Sequence, residues 1–217
     1  MQTEFQKIRL IAAAAFGLLG QAAVAGGPPA EMPKLLPEAE EIQAALEAAP
    51  PHLRDGAGVY VLKPAGYVCV RESRNGFTCV VERSVASSFE PECFDAEGTE
   101  TVLPVVLYRA ELRAKGESLS DIDHAVGDAY MSGRFRAPRR TGICYMLSTK
   151  NVVLVDRDSG KVGPAPPHLM FYVPYLKNAD FGATPDFASH FIVADEGTPT
   201  ALLIVPVNLN QGGHQHH

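Results

Sequence analysis

His168 is the residue whose type and setting in the sequence best suit chemistry. It follows Pro166 and Pro167, which restrict the backbone immediately before an apolar run. An imidazole fixed at the start of a strand can act as a general base, and Tyr172 lies in the same run. The sequence therefore makes His168 and Tyr172 candidate catalytic residues. The simpler interpretation of His168 is a hydrogen-bonded histidine at the margin of a sheet.

A second histidine, His190, begins another apolar run and could share a metal ion with His168. Aspartates that could complete such a ligand set are Asp180, Asp186 and Asp195. The sequence contains neither HxH nor HExxH, so local spacing does not require the two histidines to meet. A metal site at His168 and His190 therefore depends on convergence of the two runs in the fold.

Four arginines lie close together in a loop that also contains Gly133 and Pro138. They are Arg134, Arg136, Arg139 and Arg140. Guanidinium groups suit carboxylate and phosphate ligands, so this loop predicts an anion-binding rim. Ion pairs with the excess acidic residues are the simpler alternative. The formal net charge of −6 gives no electrostatic reason to bind nucleic acid or an anionic membrane surface.

Sequence motifs with a fixed catalytic mechanism are absent. The chain has no GxSxG nucleophile elbow, no GxxxxGK[ST] phosphate loop and no GxGxxG dinucleotide fingerprint. Its cysteines form no CxxC pair, so the signatures of a zinc ribbon, a thioredoxin-type redox site and c-type haem attachment are also missing. The sequence therefore names no cofactor.

The first 25 residues are typical of an export signal. Lys7 and Arg9 precede an apolar run from Leu10 to Gly20, and Ala23-Val24-Ala25 fits the small-x-small rule for cleavage. Neither this run nor any later segment reaches the roughly 20 apolar residues of a membrane helix. No cysteine stands at the predicted mature N-terminus, directly after the cleavage site, which argues against a lipoprotein. We therefore expect a soluble mature protein, without a transmembrane segment, in the periplasm or outside the cell.

Four cysteines follow the predicted signal, and an even number in an oxidising compartment favours structural disulfides over a catalytic thiol. The preferred pairing joins Cys79 to Cys93, a short loop closure, and Cys69 to Cys144. A hairpin bridge between Cys69 and Cys79 is the alternative.

Apolar periodicity predicts about three helices, over residues 37–49, 104–115 and 118–132. Runs of β-branched and aromatic residues predict strands over 59–63, 67–71, 77–82, 143–147, 152–156, 169–173, 190–194 and 201–207. Turn residues predict three hairpins, which join 67–71 to 77–82, 143–147 to 152–156, and 190–194 to 201–207. The predicted helices and strands fall in separate groups along the chain and do not alternate regularly, which indicates an α+β fold with a largely antiparallel sheet.

The same patterns divide the chain into four parts. Residues 1–25 are the signal peptide, and the Gly- and Pro-rich residues 26–36 form a flexible lead-in. Residues 37–207 form a single α+β domain, and residues 208–217 form a flexible tail.

Four segments of the chain carry a resemblance to a known group of sequences. They are Asn75–Cys79, Pro91–Asp95, Tyr145–Ser148 and Pro166–Tyr172. Through them, most of the mature chain resembles a family of uncharacterised exported bacterial proteins with no assigned activity. The resemblance implies a bacterial cell-envelope setting and favours the Cys79–Cys93 pairing, and it implies no catalytic role.

Two functions remain in view. The leading one is a binding or envelope-accessory role without recognisable catalysis, which needs an exposed patch with either the four arginines or the aromatics of 171–181 on its rim. The alternative is an extracytoplasmic hydrolase or metal-dependent enzyme built around His168. The enzyme requires His168 and a second polar group to meet in a cleft.

Overall fold

The structure is a computed structural model that describes residues 28–156, 159–184 and 190–208. The predicted signal peptide, Asp186 and nearly all of the predicted tail lie outside the described residues. Within the described ranges, no helix combines the length and the apolar character needed to cross a membrane.

Six helical segments occur in the described part of the chain. They are α1 (Glu38–Glu47), α2 (Pro51–Arg54), α3 (Ala96–Thr101), α4 (Leu103–Ala114), α5 (Leu119–Met131) and α6 (Asn178–Phe181). The three long ones, α1, α4 and α5, match the predicted helices. The three short ones were not predicted, because four to six residues are too few to show an apolar period.

Eight of the ten strands in the described ranges form one sheet, in the order β2-β1-β3-β4-β5-β8-β10-β9, and β6 and β7 pair separately. The strands are β1 (Gly58–Lys63), β2 (Gly66–Arg71), β3 (Thr78–Glu82), β4 (Glu90–Phe94), β5 (Ile143–Met146), β6 (Val152–Asp156), β7 (Lys161–Pro164), β8 (His168–Tyr172), β9 (Ile192–Ala194) and β10 (Leu202–Pro206). Only β1 and β3 run parallel to each other among the paired strands of this sheet. The predicted mixed fold with a largely antiparallel sheet is therefore confirmed.

The predicted hairpin of 67–71 with 77–82 is wrong. Strand β2 instead turns back on β1, with Lys63 opposite Gly66, and β3 lies on the other side of β1. The reason lies in the connection between β2 and β3, which is tied to the end of α2. The Asn75 side chain donates to the carbonyl of Leu53 at 2.7 Å, so the chain crosses the end of β1 before entering β3.

The predicted hairpin of 143–147 with 152–156 is also wrong, because β5 lies between β4 and β8 and β6 pairs with β7. The sequence analysis missed β4 altogether. Its sequence, Glu-Pro-Glu-Cys-Phe, carries charges at alternate positions, yet the whole strand is buried. The third predicted hairpin is confirmed as β9 and β10.

Each face of the central strands packs against a different helix. On one face, Cys79, Val81 and Cys93 pack against the small residues Ala44 and Ala45 of α1. The opposite face carries Val80 and Phe94, which pack against the α4 residues Leu103 and Val106. The alternation of side chains along β3 and β4 therefore divides these strands between two separate cores.

Cys79 and Cys93 form the predicted disulfide. They face each other on β3 and β4 with 4.0 Å between their Cα atoms. The predicted Cys69–Cys144 bridge is wrong, since both cysteines are free. Three strands separate β2 from β5, which places the two residues about 19 Å apart at ordinary strand spacing, far beyond disulfide reach. The alternative Cys69–Cys79 bridge fails because Cys79 is already paired.

Replacing both Cys79 and Cys93 with serine should lower the free energy of unfolding by about 3 kcal/mol, because the bridge closes a short loop in the unfolded chain. Urea unfolding at pH 6 would measure the change. The control is Cys69→Ser on edge strand β2, which should leave the midpoint unchanged. Equal midpoints for the double variant and the wild type, both run without reductant, would show that the bridge is not formed.

Candidate functional site

His168 and Tyr172 lie on the same face of β8 but do not meet. Four residues along a strand separate their side chains by about 13 Å, and Met170 lies between them. His168 is 4% exposed, and its Nδ1 lies 2.7 Å from the carbonyl oxygen of Pro166. A carbonyl only accepts, so Nδ1 carries the proton, and burial lowers the pKa of this imidazole. The Tyr172 hydroxyl donates to the carbonyl of Ile143 at 3.2 Å.

His190 and His168 are not brought together either. Strand β10 lies between β8 and β9, and His190 precedes β9 in an exposed position with a φ of 65°. Asp180 caps the start of α6, where it accepts the amide proton of Lys177 at 2.7 Å. Among the described residues, no group of three or more side chains that could hold a metal ion includes His168 or His190.

Three of the four loop arginines contact side chains of this chain. Arg140 pairs with Glu97 at 3.0 Å, and Arg139 pairs with Glu100 at 3.5 Å. The Arg134 guanidinium stacks over the ring of Tyr108 at 4.0 Å. Arg136 is exposed. These contacts match the simpler interpretation of the loop, and an incoming anion would have to compete with two carboxylates. Anion binding here stays a prediction.

The most unusual polar group of the described chain is a set of three glutamates, Glu82, Glu90 and Glu92, which we call the glutamate cluster. Glu82 ends β3 directly opposite Glu90 at the start of β4. Glu92 lies two residues further along β4 and so points to the same face. One carboxylate oxygen from each residue lies within 4.8 Å of the others. Glu90 and Glu92 are each 8% exposed.

Helix α4 places a buried cation beside the glutamate cluster. Arg113 lies three residues after Ala110, on the apolar stripe that packs against the sheet, and is 5% exposed. It donates to the backbone carbonyls of Arg83 and Ser84, each at 2.6 Å, in the turn between β3 and β4. The Ser84 hydroxyl in turn donates to Glu90. The turn and the cluster are therefore fixed to α4 by one guanidinium group.

The turn itself carries a guanidinium group, that of Arg83, which points away from the glutamate cluster. Arg83 pairs with Glu41 of α1 at 3.1 Å, and both side chains are almost fully buried. Burial raises the pKa of Glu41, and the adjacent Arg83 opposes that shift. Arg83 therefore pairs with a carboxylate of α1, and its charge also lowers the pKa of Glu90.

Burial and mutual repulsion shift the titration of the glutamate cluster. Burial, with the charge of Glu90 added, raises the pKa of Glu82 to about 7. Burial raises the pKa of Glu92 well above its usual range, and a hydrogen bond with Glu82 raises it further. Burial also raises the pKa of Glu90. The hydrogen bond from Ser84 stabilises the ionised form of Glu90 and so opposes this rise. A carboxylate only accepts, so a hydrogen bond between two carboxyls requires a bound proton.

The glutamate cluster is also the one group in the described ranges with ligand atoms placed to hold a metal ion. Its donors are all carboxylate oxygens, which suit a hard divalent cation such as Ca²⁺, Mn²⁺ or Mg²⁺. The Glu90-x-Glu92 spacing was the available sequence signal, because alternate residues of a strand share a face. That signal went unused because no strand was predicted at β4.

Comparison of the chain with protein-family models, with curated proteins and with solved structures finds no match. The resemblance to exported bacterial proteins therefore stays a prediction, and the interpretation of the site depends on its own geometry.

Replacing Arg113 with methionine should lower the free energy of unfolding by about 3 kcal/mol at pH 7, because two buried carbonyls and the glutamate cluster lose their cation. The loss should be smaller at pH 5, where protons neutralise the carboxyls. Urea unfolding at both pH values checks this. The control, Arg139→Met, removes an exposed ion pair and should change stability by less than about 0.5 kcal/mol. Equal losses for the two variants would contradict the role given to Arg113.

Proposed function

We propose that the protein acts outside the bacterial cytoplasm in a binding or envelope-accessory role without recognisable catalysis. The observation that carries this proposal is an exposed apolar patch formed by Tyr175, Leu176 and Phe181, which are 59%, 39% and 37% exposed. Export is supported by the Cys79–Cys93 bridge, since such bridges persist in oxidising compartments.

The backbone under the apolar patch is held in place by hydrogen bonds. Tyr175, whose φ is 67°, donates its amide proton to Thr198 at 2.8 Å, and Gly197 donates to the carbonyl of Leu176 at 2.9 Å. The Phe181 ring meets the Phe191 ring edge-on at 6.5 Å. Large apolar side chains presented by a fixed backbone are typical of a protein interaction site.

The partner that fits the apolar patch is another protein and not a membrane surface. The carboxylates of Asp180 and Glu196 lie in the segments that carry and support the patch, and the chain has a net charge of −6. Such a surface is repelled by anionic lipid headgroups. An envelope protein with a complementary apolar surface meets no such repulsion.

The partner must dock through side chains, because the neighbouring sheet edge is blocked. The Asn178 side chain accepts from the amide of Val193 at 2.7 Å and donates to its carbonyl at 2.9 Å. These are the β9 backbone groups that an added strand would need, so strand addition at this edge is disfavoured.

The hydrolase alternative has weaker support. His168 is buried against Pro166, and about 13 Å of strand separates it from Tyr172. The metal-dependent alternative is favoured by one specific observation, the glutamate cluster. A second candidate function is therefore the binding of a divalent cation by Glu82, Glu90 and Glu92, with no part for His168 or His190.

Site-specific photocrosslinking tests the apolar patch. A benzoylphenylalanine placed at Leu176 in the host envelope should capture one protein, identified by mass spectrometry. The crosslink should fall at least tenfold when Tyr175 and Phe181 are both replaced with serine. The control probe stands at Met131 on α5, which is 81% exposed and far along the chain from the patch. Capture of the same proteins from both positions, or of none, would contradict the proposal.

Cation binding is tested on protein freed of metals with EDTA and dialysed at pH 7.5. If the second candidate is correct, millimolar Ca²⁺ or Mn²⁺ raises the unfolding temperature of the wild type and of Glu100→Gln, but not of Glu92→Gln. Glu100 is the matched control because it is an exposed glutamate paired with Arg139. Equal responses of all three proteins, or no response, would exclude the glutamate cluster as a cation site.

A further inference from the structure

We infer that strand β2 is the contact through which two copies of this chain pair, edge to edge and antiparallel, about a two-fold axis at Val68. Strand β2 forms one end of the eight-stranded sheet, and β9 forms the other. The inference depends on the β2 edge and requires neither the apolar patch nor the glutamate cluster.

The backbone of β2 offers hydrogen-bonding groups to a partner strand. The two-residue turn before β2 makes Gly66 a hydrogen-bonded partner of Lys63, and hydrogen-bonded pairs alternate along an antiparallel ladder. The amide and carbonyl of Val68 therefore point to β1, whereas those of Tyr67 and Cys69 point outwards. Within the described part of the chain, no backbone group outside β1 bonds to Tyr67 or Cys69.

The devices that usually protect a sheet edge are missing from β2. Residues 66–70 contain neither proline nor a charged side chain. The charged residue that ends the strand, Arg71, turns inwards, and its guanidinium donates to the carbonyls of Ala57 and Arg54 at 2.7 Å each. At the β9 edge, by contrast, the Asn178 side chain occupies backbone groups that an added strand would need. The fold therefore blocks one edge and leaves the other open.

The β2 edge is held in a fixed conformation. Tyr67 reaches across β1, and its hydroxyl donates to the carbonyl of Val81 on β3 at 2.6 Å. A strand that is already fixed to the sheet loses little conformational freedom when it gains a partner. Pairing at this edge therefore carries a small ordering cost.

The residue pattern of β2 fits a second copy of itself. A two-fold axis at Val68 places Tyr67 opposite Cys69 of the second copy, so the outward groups of both residues pair reciprocally. Val68 is 48% exposed, and it meets the same side chain of the second copy at a non-hydrogen-bonded position, where side chains lie closest. Arg71 falls opposite Ala65, so no like charges face each other.

The helices that pack near β2 leave room for this contact. Helix α4 approaches β2 at Gly66, where the Cα of Glu111 lies 3.7 Å from the position that a Cβ would take. In the paired strands the two Gly66 residues are four positions apart, or about 13 Å. This separation exceeds the roughly 8–10 Å between packed helices, so the two α4 helices do not collide.

Sedimentation velocity over about 2–300 µM tests the pairing, with every protein carrying Cys69→Ser so that no thiol at this edge can bridge two copies. Because the contact is small, we expect a reversible dimer with a dissociation constant of about 10–100 µM. Val68→Lys should raise this constant at least tenfold, since two lysines would then oppose each other. The control is Val155→Lys, at a 54% exposed valine of β6, which should leave the constant unchanged. A monomer throughout the range, or equal weakening by both variants, would overturn the inference.

An introduced cysteine tests the register. Residues paired at a non-hydrogen-bonded position have Cα atoms about 4.5 Å apart, within disulfide reach. Val68→Cys with Cys69→Ser should therefore form a covalent dimer on mild oxidation with dipyridyl disulfide, whereas Val155→Cys with Cys69→Ser should stay monomeric. Equal yields at both positions, or no covalent dimer at position 68, would overturn the inference. Failure of the photocrosslinking experiment at the apolar patch would leave these outcomes unchanged.

Discussion

The close approach of three carboxyl groups, those of buried Glu90 and Glu92 and half-buried Glu82, on one face of two adjacent strands is the constraint on which the surrounding structure depends. Each ionised carboxylate costs several kcal/mol to remove from water, so the fold must supply protons or positive charge at this position. Arg113 lies on the apolar stripe of α4 and supplies positive charge, and Ser84 of the turn donates a hydrogen bond to Glu90. Arg113 and Ser84 thus connect α4 and the turn of residues 83–89 to this part of the sheet, in addition to the apolar packing of α4.

The same two strands are built differently on their opposite face. There Cys79 and Cys93 are joined covalently, and the alanines of α1 allow the helix to approach the sheet closely. Strands β3 and β4 therefore combine one face that carries a covalent bridge and small apolar neighbours with another that carries carboxyl groups of raised pKa.

The sequence predicted the parts of the fold that depend on local pattern. Helices α1, α4 and α5 were found by periodicity, and the β9–β10 hairpin was found by its turn. Strand β4 was missed because Glu90 and Glu92 looked like surface residues, and their burial depends on Arg113, distant in sequence. His168 drew attention because of its flanking prolines, but its partner is a backbone carbonyl. Long-range pairing thus decided both the sheet order and the candidate site.

The central claim is that the glutamate cluster holds protons at neutral pH. A ¹³C NMR titration of the glutamate side-chain carboxyls, assigned through Glu82→Gln, Glu90→Gln and Glu92→Gln, tests it most directly. The account predicts that at least one of these carboxyls titrates near or above pH 7. Titration of all three below pH 5 would contradict the account.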